Sequence, residues 1–403
     1  MNNLKILLAL LLSSILLWSC TKNGERIPGP TNGSSQPAQG PETFTIVSYN
    51  AWHGLDAGEF WVTSTETPEQ NAARLRFQVQ QIANADADVV LLQEVNPLPQ
   101  RAEEYVMALQ ELGLDYTNIH QVDACGIRIS GERALIPGLN NGLAILAKRE
   151  LQLKKIKGLK LSGDIGNCED TSGMQLGELR YGLIGEITLP ESSTKYLITS
   201  LHLHSGFETG QGFLHTLANF HEQGRFDRYP WFKWEIDKVR LRRISEVSTL
   251  MRELYRLCED GAYAGMAIGG DFNFEPDFPE YEEAKLLRII DSFTLAKHDA
   301  EQFTADPVRN GLIRFGPEPT IPNLLKRELS EVSPETKEAI LVSYVKEQKR
   351  PRRIDYIFVN SFLPDYCFRQ DLFGLETDGK NLPASDHFGV INWYTRDATP
   401  CHR

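Results

Sequence analysis

The sequence predicts one α/β domain in which two sheets pack together and carry helices on their outer faces. Three observations predict it: short runs rich in Val, Ile, Tyr and Phe recur along the chain, two stretches show helical periodicity, and strand-like runs flank the helices in both halves. No second linker and no internal repeat interrupts residues 44–394.

In order, the strand-like runs begin with FTIVSYN (44–50) and DVVLLQE (88–94), separated by a helical stretch at 69–85 with Leu75, Val79 and Ile82 on one face. GLAILAK (142–148), LIGEITL (183–189) and KYLITSLHLH (195–204) follow. Residues 234–257 repeat Ile236, Val239, Val247, Leu250, Met251 and Leu254 at helical spacing. GMAIGGDFN (265–273), RIDYIFVN (353–360) and FGVINWY (388–394) complete the series. Residues 205–234 break the pattern, with eight aromatic residues in thirty and Gly206, Gly210, Gly212 and Gly224 among them. Such an insertion either packs on its own body or covers a substrate site.

The N-terminus is of another kind. A single Lys5 precedes an apolar run from Ile6 to Trp18, too short to span a bilayer comfortably and placed where a secretory signal belongs. The run ends at Cys20, which resembles the lipidated cysteine of a bacterial lipoprotein, although bulky Trp18 stands where small residues are usual. Residues 21–42 hold four Pro, four Gly and no apolar periodicity, so they cannot bury enough surface to become ordered. The expected organisation is a signal peptide at 1–19, a lipidated cysteine and flexible tether at 20–42, and a catalytic domain at 43–396. An exported, membrane-tethered domain follows, at the outer membrane or in the periplasm.

The 403 residues are 41% hydrophobic and 24% charged, which excludes a disordered chain, a collagen or a coiled coil. The net charge of −12 excludes blanket binding of nucleic acid, though a local basic patch could still hold phosphate. Beyond Cys20 the cysteines at 125, 168, 258, 367 and 401 form no CxxC pair, which argues against a zinc cluster. Export permits disulfides, and the odd count leaves one thiol over.

Function is written at the strand ends. Asn50 closes the first run, Glu94 the second, and His202 and His204 stand at the end of YLITSLHLH. Asp271 and Asn273 follow AIGG, Asp355 lies in RRIDYIF, and Ser385-Asp386-His387 precedes FGV. One such residue is usually a turn former. Six clusters of carboxylate, carboxamide and imidazole at the ends of apolar strands point to one shared pocket. Their oxygen-rich chemistry suits Mg²⁺, with Mn²⁺ or Ca²⁺ also compatible, and leaves coordination positions for water and a phosphate oxygen. That is a set for metal-assisted phosphoester cleavage.

SYN (48–50), QE (93–94), LHLH (201–204), GDFN (270–273), RIDYIF (353–358) and SDHFGV (385–390) also stand in the order found in the endonuclease/exonuclease/phosphatase superfamily. The chain resembles that superfamily over residues 44–394. The resemblance implies a four-layer α/β/β/α sandwich, two packed mixed sheets with outer helices and a divalent-metal site at one sheet edge. It implies Glu94 as principal metal ligand, with Asn50 beside it and Asp386 nearby. Asp271 and Asn273 match the pair that orients the attacking water and contacts phosphate. His387, held by Asp355, and His202 match the two histidines, with Leu201 in place of the usual threonine. His204 is a neighbour of less defined role, a candidate substrate contact.

Arg180 in ELRYGLIGEITL falls where relatives carry an arginine before a strand, which makes it a substrate-contact candidate. KEQKRPRR (346–353) carries five basic residues and would steer a polyanion if it flanks the pocket. The leading expectation is a metal-dependent phosphodiesterase of nuclease type outside the cytoplasm. A sphingomyelinase-like phospholipid diesterase and an inositol-phosphate-type phosphatase are the alternatives within the class, and a non-catalytic binding lipoprotein is the alternative outside it. The partners implied are a phosphoester substrate, nucleic acid or phospholipid, and a membrane through the N-terminal lipid, with no obligate protein partner. A serine hydrolase is excluded by the lack of a G-x-S-x-G elbow.

Overall fold

A computed structural model of the chain describes residues 41–57, 62–64, 66–124, 127–128, 140–168, 173–190, 192–205, 211–296, 302–310, 312, 323–377 and 384–396. The expected signal peptide, Cys20 and all but the last residues of the tether lie outside the described residues. The chain runs β1 (Thr43–Asn50), β2 (Leu55–Ala57), β3 (Val62–Ser64), α1 (Pro68–Asn84), β4 (Val89–Val95), α2 (Gln100–Glu111), β5 (Tyr116–Ala124), β6 (Ile127–Arg128) and β7 (Asn141–Lys148). It continues through β8 (Lys154–Cys168), β9 (Gly173–Thr188), β10 (Lys195–His202), α3 (Gln211–Glu222), α4 (Tyr229–Cys258), β11 (Gly265–Asp271), α5 (Pro279–Leu286), β12 (Ile290–Asp291) and α6 (Ser292–Ala296). The last part holds α7 (Asn323–Glu328), α8 (Pro334–Gln348), β13 (Asp355–Asn360), β14 (Cys367–Phe373) and β15 (Gly389–Thr395).

Two mixed sheets form. The first has the order β14-β15-β1-β4-β7-β5, and the second β12-β13-β11-β10-β9-β6 with β8 paired to β9. Each has one parallel pair at its centre, β1 with β4 and β10 with β11, while the remaining pairings are antiparallel. The central strands are buried along nearly their whole length, so Ile46, Val47, Val89 to Leu92, Leu143 to Ala147, Ile198 and Ala267 read as continuous apolar runs rather than alternating ones. The sheets meet face to face, and at one point their approach requires a glycine. A Cβ on Gly269 would sit 2.6 Å from Leu91 Cδ1 and 2.9 Å from Ser48 Oγ on the opposite sheet.

Helices cover both outer faces, which completes the four layers. Helix α1 starts on a capping box, with Thr67 and Gln70 satisfying each other's backbone N–H groups and Pro68 at the first turn. Its Val79 and Ile82, with Tyr105 and Leu109 of α2, join the cluster of the first sheet. Val247, Leu250, Met251 and Leu254 of α4 and Tyr281 and Ala284 of α5 cover the second.

The aromatic insertion proves helical. Among its described residues, Phe213 and Leu217 of α3 with Phe226 and Phe232 build a third cluster, joined by Ile236 further along α4, Leu325 of α7, Leu329 just after it, and Ile340 and Tyr344 of α8. It packs on its own body, the first of the two readings that its composition allowed. The aromatic content that broke the strand pattern is the core of this helical appendage, and α4 begins at Tyr229, five residues before the periodicity becomes visible. Cys168, Cys258 and Cys367 are disulfide-bonded and no cysteine among the described residues is free, so the odd thiol is not one of these three. No helix among the described residues is long and apolar enough to cross a membrane.

Candidate active site

The strand directions gather the polar residues. Parallel β1 ends at Asn50, paired with Gln93 of β4 and so beside Glu94, and parallel β10 and β11 end together at His202 and Asp271, which are register partners. Antiparallel β13 begins at Asp355, paired with Asp271, and antiparallel β15 begins just after His387. Ends of the parallel strands and beginnings of their antiparallel neighbours therefore share one edge of the sandwich.

Asn50 joins the two halves. Its Nδ2 donates to Glu94 Oε1 at 3.2 Å within its own sheet and to Asp271 Oδ2 at 3.2 Å on the other. Asp271 is fixed from behind, its Oδ1 accepting the Asn273 backbone N–H at 2.9 Å, while Asn273 Nδ2 donates to the Leu203 carbonyl at 3.0 Å. Asp271 Oδ2 thus faces the cleft, 3.6 Å from His202 Nε2 and 3.9 Å from His387 Nδ1. His387 Nδ1 lies 2.8 Å from Asp355 Oδ2, and Ser385 Oγ ties the loop to the site by donating to the Asn50 carbonyl at 2.6 Å.

Backbone strain marks the same edge. Trp52, Glu94 and Asn273 are left-handed residues with φ of 57°, 55° and 52°. At Glu94 a bulge breaks the β4–β7 register between Leu92 and Val95, turning the carboxylate out of a strand whose neighbours are fully buried.

The charges are set by these contacts. Burial pushes the Glu94 carboxyl up, but the neighbouring imidazoles, His53 first and His387 with it, and the His53 backbone N–H outweigh it and hold it down at about 2. Burial, with Arg180 nearby, presses His202 down to about 3, so this imidazole is neutral. Burial acts on His387 in the same direction, yet Asp355 first, then Asp386 and Asp271, raise it well above the ordinary histidine range. One imidazole is a neutral hydrogen-bonding group and the other an imidazolium. Asp386 is pushed up by burial and by the charge of Glu94.

A divalent cation fits this donor set. Glu94 and Asp386 are two partly buried carboxyls whose mutual repulsion a cation relieves, and such oxygen donors suit hard ions. Asn50 sits beside Glu94 as expected, with its NH₂ toward the carboxylate and its Oδ1 accepting the Trp52 N–H at 3.0 Å. Asp271, Asp355 and His387 form a second group that could hold an ion, with ligand atoms within 4.8 Å of one another.

A ring of residues behind the site was not visible in the sequence. Glu178 on β9 accepts from Arg180 Nε at 2.6 Å and its Oε2 lies against His204 Nδ1 and 3.5 Å from Arg242. Arg180 and His204, expected to contact substrate, are therefore tied to this carboxylate. Glu246 of α4, fully buried, accepts the His204 backbone N–H at 3.0 Å, and Arg243 one helical turn away donates to the Asn273 carbonyl and, at 3.0 Å, to Glu280. Both sit mid-helix, where the apolar periodicity gives no hint of them. Asp123 of β5 stands near Arg180, and burial pushes its carboxyl up to about 7. Of the basic run, Arg350 is bound to Glu275 and Glu347, and Arg353 to Asp291 at 2.5 Å, so these two guanidiniums serve the fold.

Two results follow from this ring. Burial raises the Glu178 carboxyl, but His204, Arg180 and Arg242 together lower it from 4.5 to about 2. A depressed carboxyl stabilises the fold above its unfolded pKa and loses that contribution as pH falls through the folded one. The melting temperature of Glu178→Gln is therefore expected below that of the natural protein at pH 7, the gap closing between about pH 4.5 and pH 2. Arg243→Ala leaves Glu280 buried without a partner and is expected to cost about 3–5 kcal/mol in urea unfolding.

The family model described as the endonuclease/exonuclease/phosphatase family matches residues 47–387. No curated protein matches the chain. Among solved structures, truncated TDP2 of Caenorhabditis elegans has a TM-score of 0.51 at 14% identity, over 88% of this chain and 98% of that one. A family protein from Bacteroides thetaiotaomicron has a TM-score of 0.51 at 16% identity, over 89% and 99%. One from Bacteroides vulgatus has a TM-score of 0.51 at 12% identity, over 88% and 99%. At these identities the likeness is one of fold.

Proposed function

Because the chain belongs to the endonuclease/exonuclease/phosphatase family, we propose that it is a divalent-metal-dependent phosphodiesterase of nuclease type, acting outside the cytoplasm from a lipid tether at Cys20. The observation that carries the reading is the convergence of Asn50, Glu94, His202, Asp271, Asp355 and His387 on one sheet edge from both sheets. A cation held by Glu94 and Asp386 would neutralise charge on the phosphoryl group when bound.

The chain's own residues do the rest. Asp271 Oδ2, held toward the cleft, orients a water and accepts its proton as the water oxygen attacks phosphorus in line with the leaving oxygen. His387, with Nδ1 held by Asp355, donates a proton from Nε2 as that oxygen departs. Neutral His202 and the Asn273 amide hydrogen-bond the phosphoryl oxygens as their charge grows.

The charge supply favours a diester. Beside the His387 imidazolium, Arg180 is the guanidinium nearest to His202 in effect, and Glu178 already engages it. A dianionic phosphomonoester would want more free cations than the described residues offer. Polar neighbours such as His53 and Asn96, joined through the His53 carbonyl, favour a hydrophilic phosphodiester chain over acyl chains. Export is supported by the apolar leader and by the disulfides, which persist in oxidising compartments.

The test is a substrate panel of plasmid DNA, sphingomyelin and inositol phosphates, each with Mg²⁺ and with chelator. DNA cleavage that stops in chelator is expected. Cleavage of sphingomyelin alone would move the reading to phospholipid diesters, and no cleavage of any of them would overturn it.

A further inference from the structure

The loop after Asn50 is held in place more firmly than a turn requires. Trp52 is left-handed and Gly54 follows with φ of 67°, a position where a Cβ would meet Glu66 Oε2 at 2.6 Å. Helix α1 clamps the loop from outside: Arg74 donates to the Ala51 carbonyl at 2.7 Å and lies over the Trp52 ring at 5.1 Å, and Gln78 donates to the same carbonyl at 2.9 Å. Glu66 completes the clamp by accepting from Arg74 Nε at 2.9 Å and from a second guanidinium nitrogen at 2.7 Å. This sum of strain and restraint holds the stretch of backbone that carries His53.

His53 turns back onto the principal carboxylate twice. Its backbone N–H donates to Glu94 Oε2 at 3.1 Å, and its Nε2 lies 3.5 Å from the same oxygen. Donor atoms on adjacent positions of an octahedral cation, with bonds of about 2.1 Å, stand about 3 Å apart. The imidazole is thus placed where a small movement brings nitrogen and carboxylate oxygen onto one ion. The side chain is 31% exposed, so it faces the mouth of the site rather than the core.

Accordingly, and resting on the reading of Glu94 as a cation ligand, we propose that His53 is an additional donor to that cation through Nε2. A nitrogen ligand changes which ions are favoured. Imidazole binds Mn²⁺ and Co²⁺ better than Mg²⁺, which prefers carboxylates and water, so His53 tilts an oxygen-rich site toward the transition metals.

The experiment uses the full chain in detergent, stripped with chelator and reloaded with one equivalent of Mn²⁺, read by pulsed electron paramagnetic resonance. Nitrogen coupling to Mn²⁺ is expected, changing on ¹⁵N-histidine labelling, absent in His53→Ala and retained in His202→Ala. Calorimetric Mn²⁺ affinity is expected to fall about tenfold in His53→Ala, and Mg²⁺ affinity by less than about twofold. His53→Asn serves as a second variant of smaller steric change, with the same loss expected. Bound Mn²⁺ without nitrogen coupling in the natural protein, or coupling that survives in both His53 variants, overturns the assignment of His53 alone. Failure of Mn²⁺ to bind, or equal binding in Glu94→Gln, overturns the reading of the Glu94 site itself, and the inference with it.

Discussion

Asp271→Asn is expected to fold normally and to lose about 10²–10⁴-fold or more in kcat on a phosphodiester substrate, the range that a positioned acid or base contributes. The substitution keeps size and shape, and the oxygen that accepts the Asn273 N–H at 2.9 Å is retained. What changes is the second position, which accepts from Asn50 at 3.2 Å and stands 3.6 Å from His202 and 3.9 Å from His387. An amide there places NH₂ against the Asn50 NH₂, and it can neither take a proton from water nor balance the His387 imidazolium. Circular dichroism and melting temperature should stay near those of the natural protein while kcat collapses. Retention of more than a tenth of the activity by well-folded Asp271→Asn would falsify the assignment of this carboxylate to the attacking water.

Glu94→Gln is the second large effect, and its signature is different. Glu94 is kept ionised at about 2 by the imidazoles around it, and it accepts from both Asn50 Nδ2 and the His53 N–H. Glutamine preserves one oxygen and removes the charge. Divalent-cation affinity is expected to fall by at least about 100-fold in titration calorimetry, beyond what loss of a supporting group alone produces. Activity should fall with it at low cation and recover partly at high cation, whereas Asp271→Asn should show no such recovery. The Asp386 carboxyl, pushed up partly by Glu94, should also ionise more readily. Equal cation affinity in the natural and Glu94→Gln proteins would remove the metal from this position.

Much of the site was legible because of how its strands are buried. Central strands covered on both faces read as unbroken apolar runs, so a polar residue where the run stops is conspicuous: Asn50 after FTIVSY, Asp271 after AIGG. Strand direction then brings these ends together, which the alternating pattern anticipates. The resemblance supplied the order of the six clusters.

The parts that stayed hidden depend on geometry that periodicity does not encode. QE at 93–94 offers two adjacent polar residues, and only the bulge determines that Glu94 faces the cleft while Gln93 Nε2 donates at 3.0 Å to Ser200 on the other sheet. His53 stands three residues past a strand end, in a loop whose shape is imposed by Arg74 more than twenty residues later. Arg243 and Glu246 belong to a helix whose apolar face was recognised, but their partners lie far along the chain, Asn273 and His204 in loops after strands and Glu280 in helix α5. The second half of β9 was read as LIGEITL, but β8, its hairpin partner, escaped because KKIKGLKLSGDIGNC alternates poorly and carries Lys and Gly where strands favour branched residues. The aromatic stretch at 205–234 signalled order without saying of what kind.

The two hydrogen bonds of Asn50, one to each sheet, have a bearing on how this fold tolerates change. Neither slab of the sandwich owns the site: each brings half of it, and the Asn50 carboxamide, together with Gln93 on Ser200 and His387 on Asp355, keeps the halves in alignment. A shear of one slab past the other by a fraction of an ångström would leave both hydrophobic interiors intact and still pull the halves out of register. Activity in this architecture is therefore a finer gauge of slab alignment than stability is, and the tight glycine contact at Gly269 stands where that alignment is set.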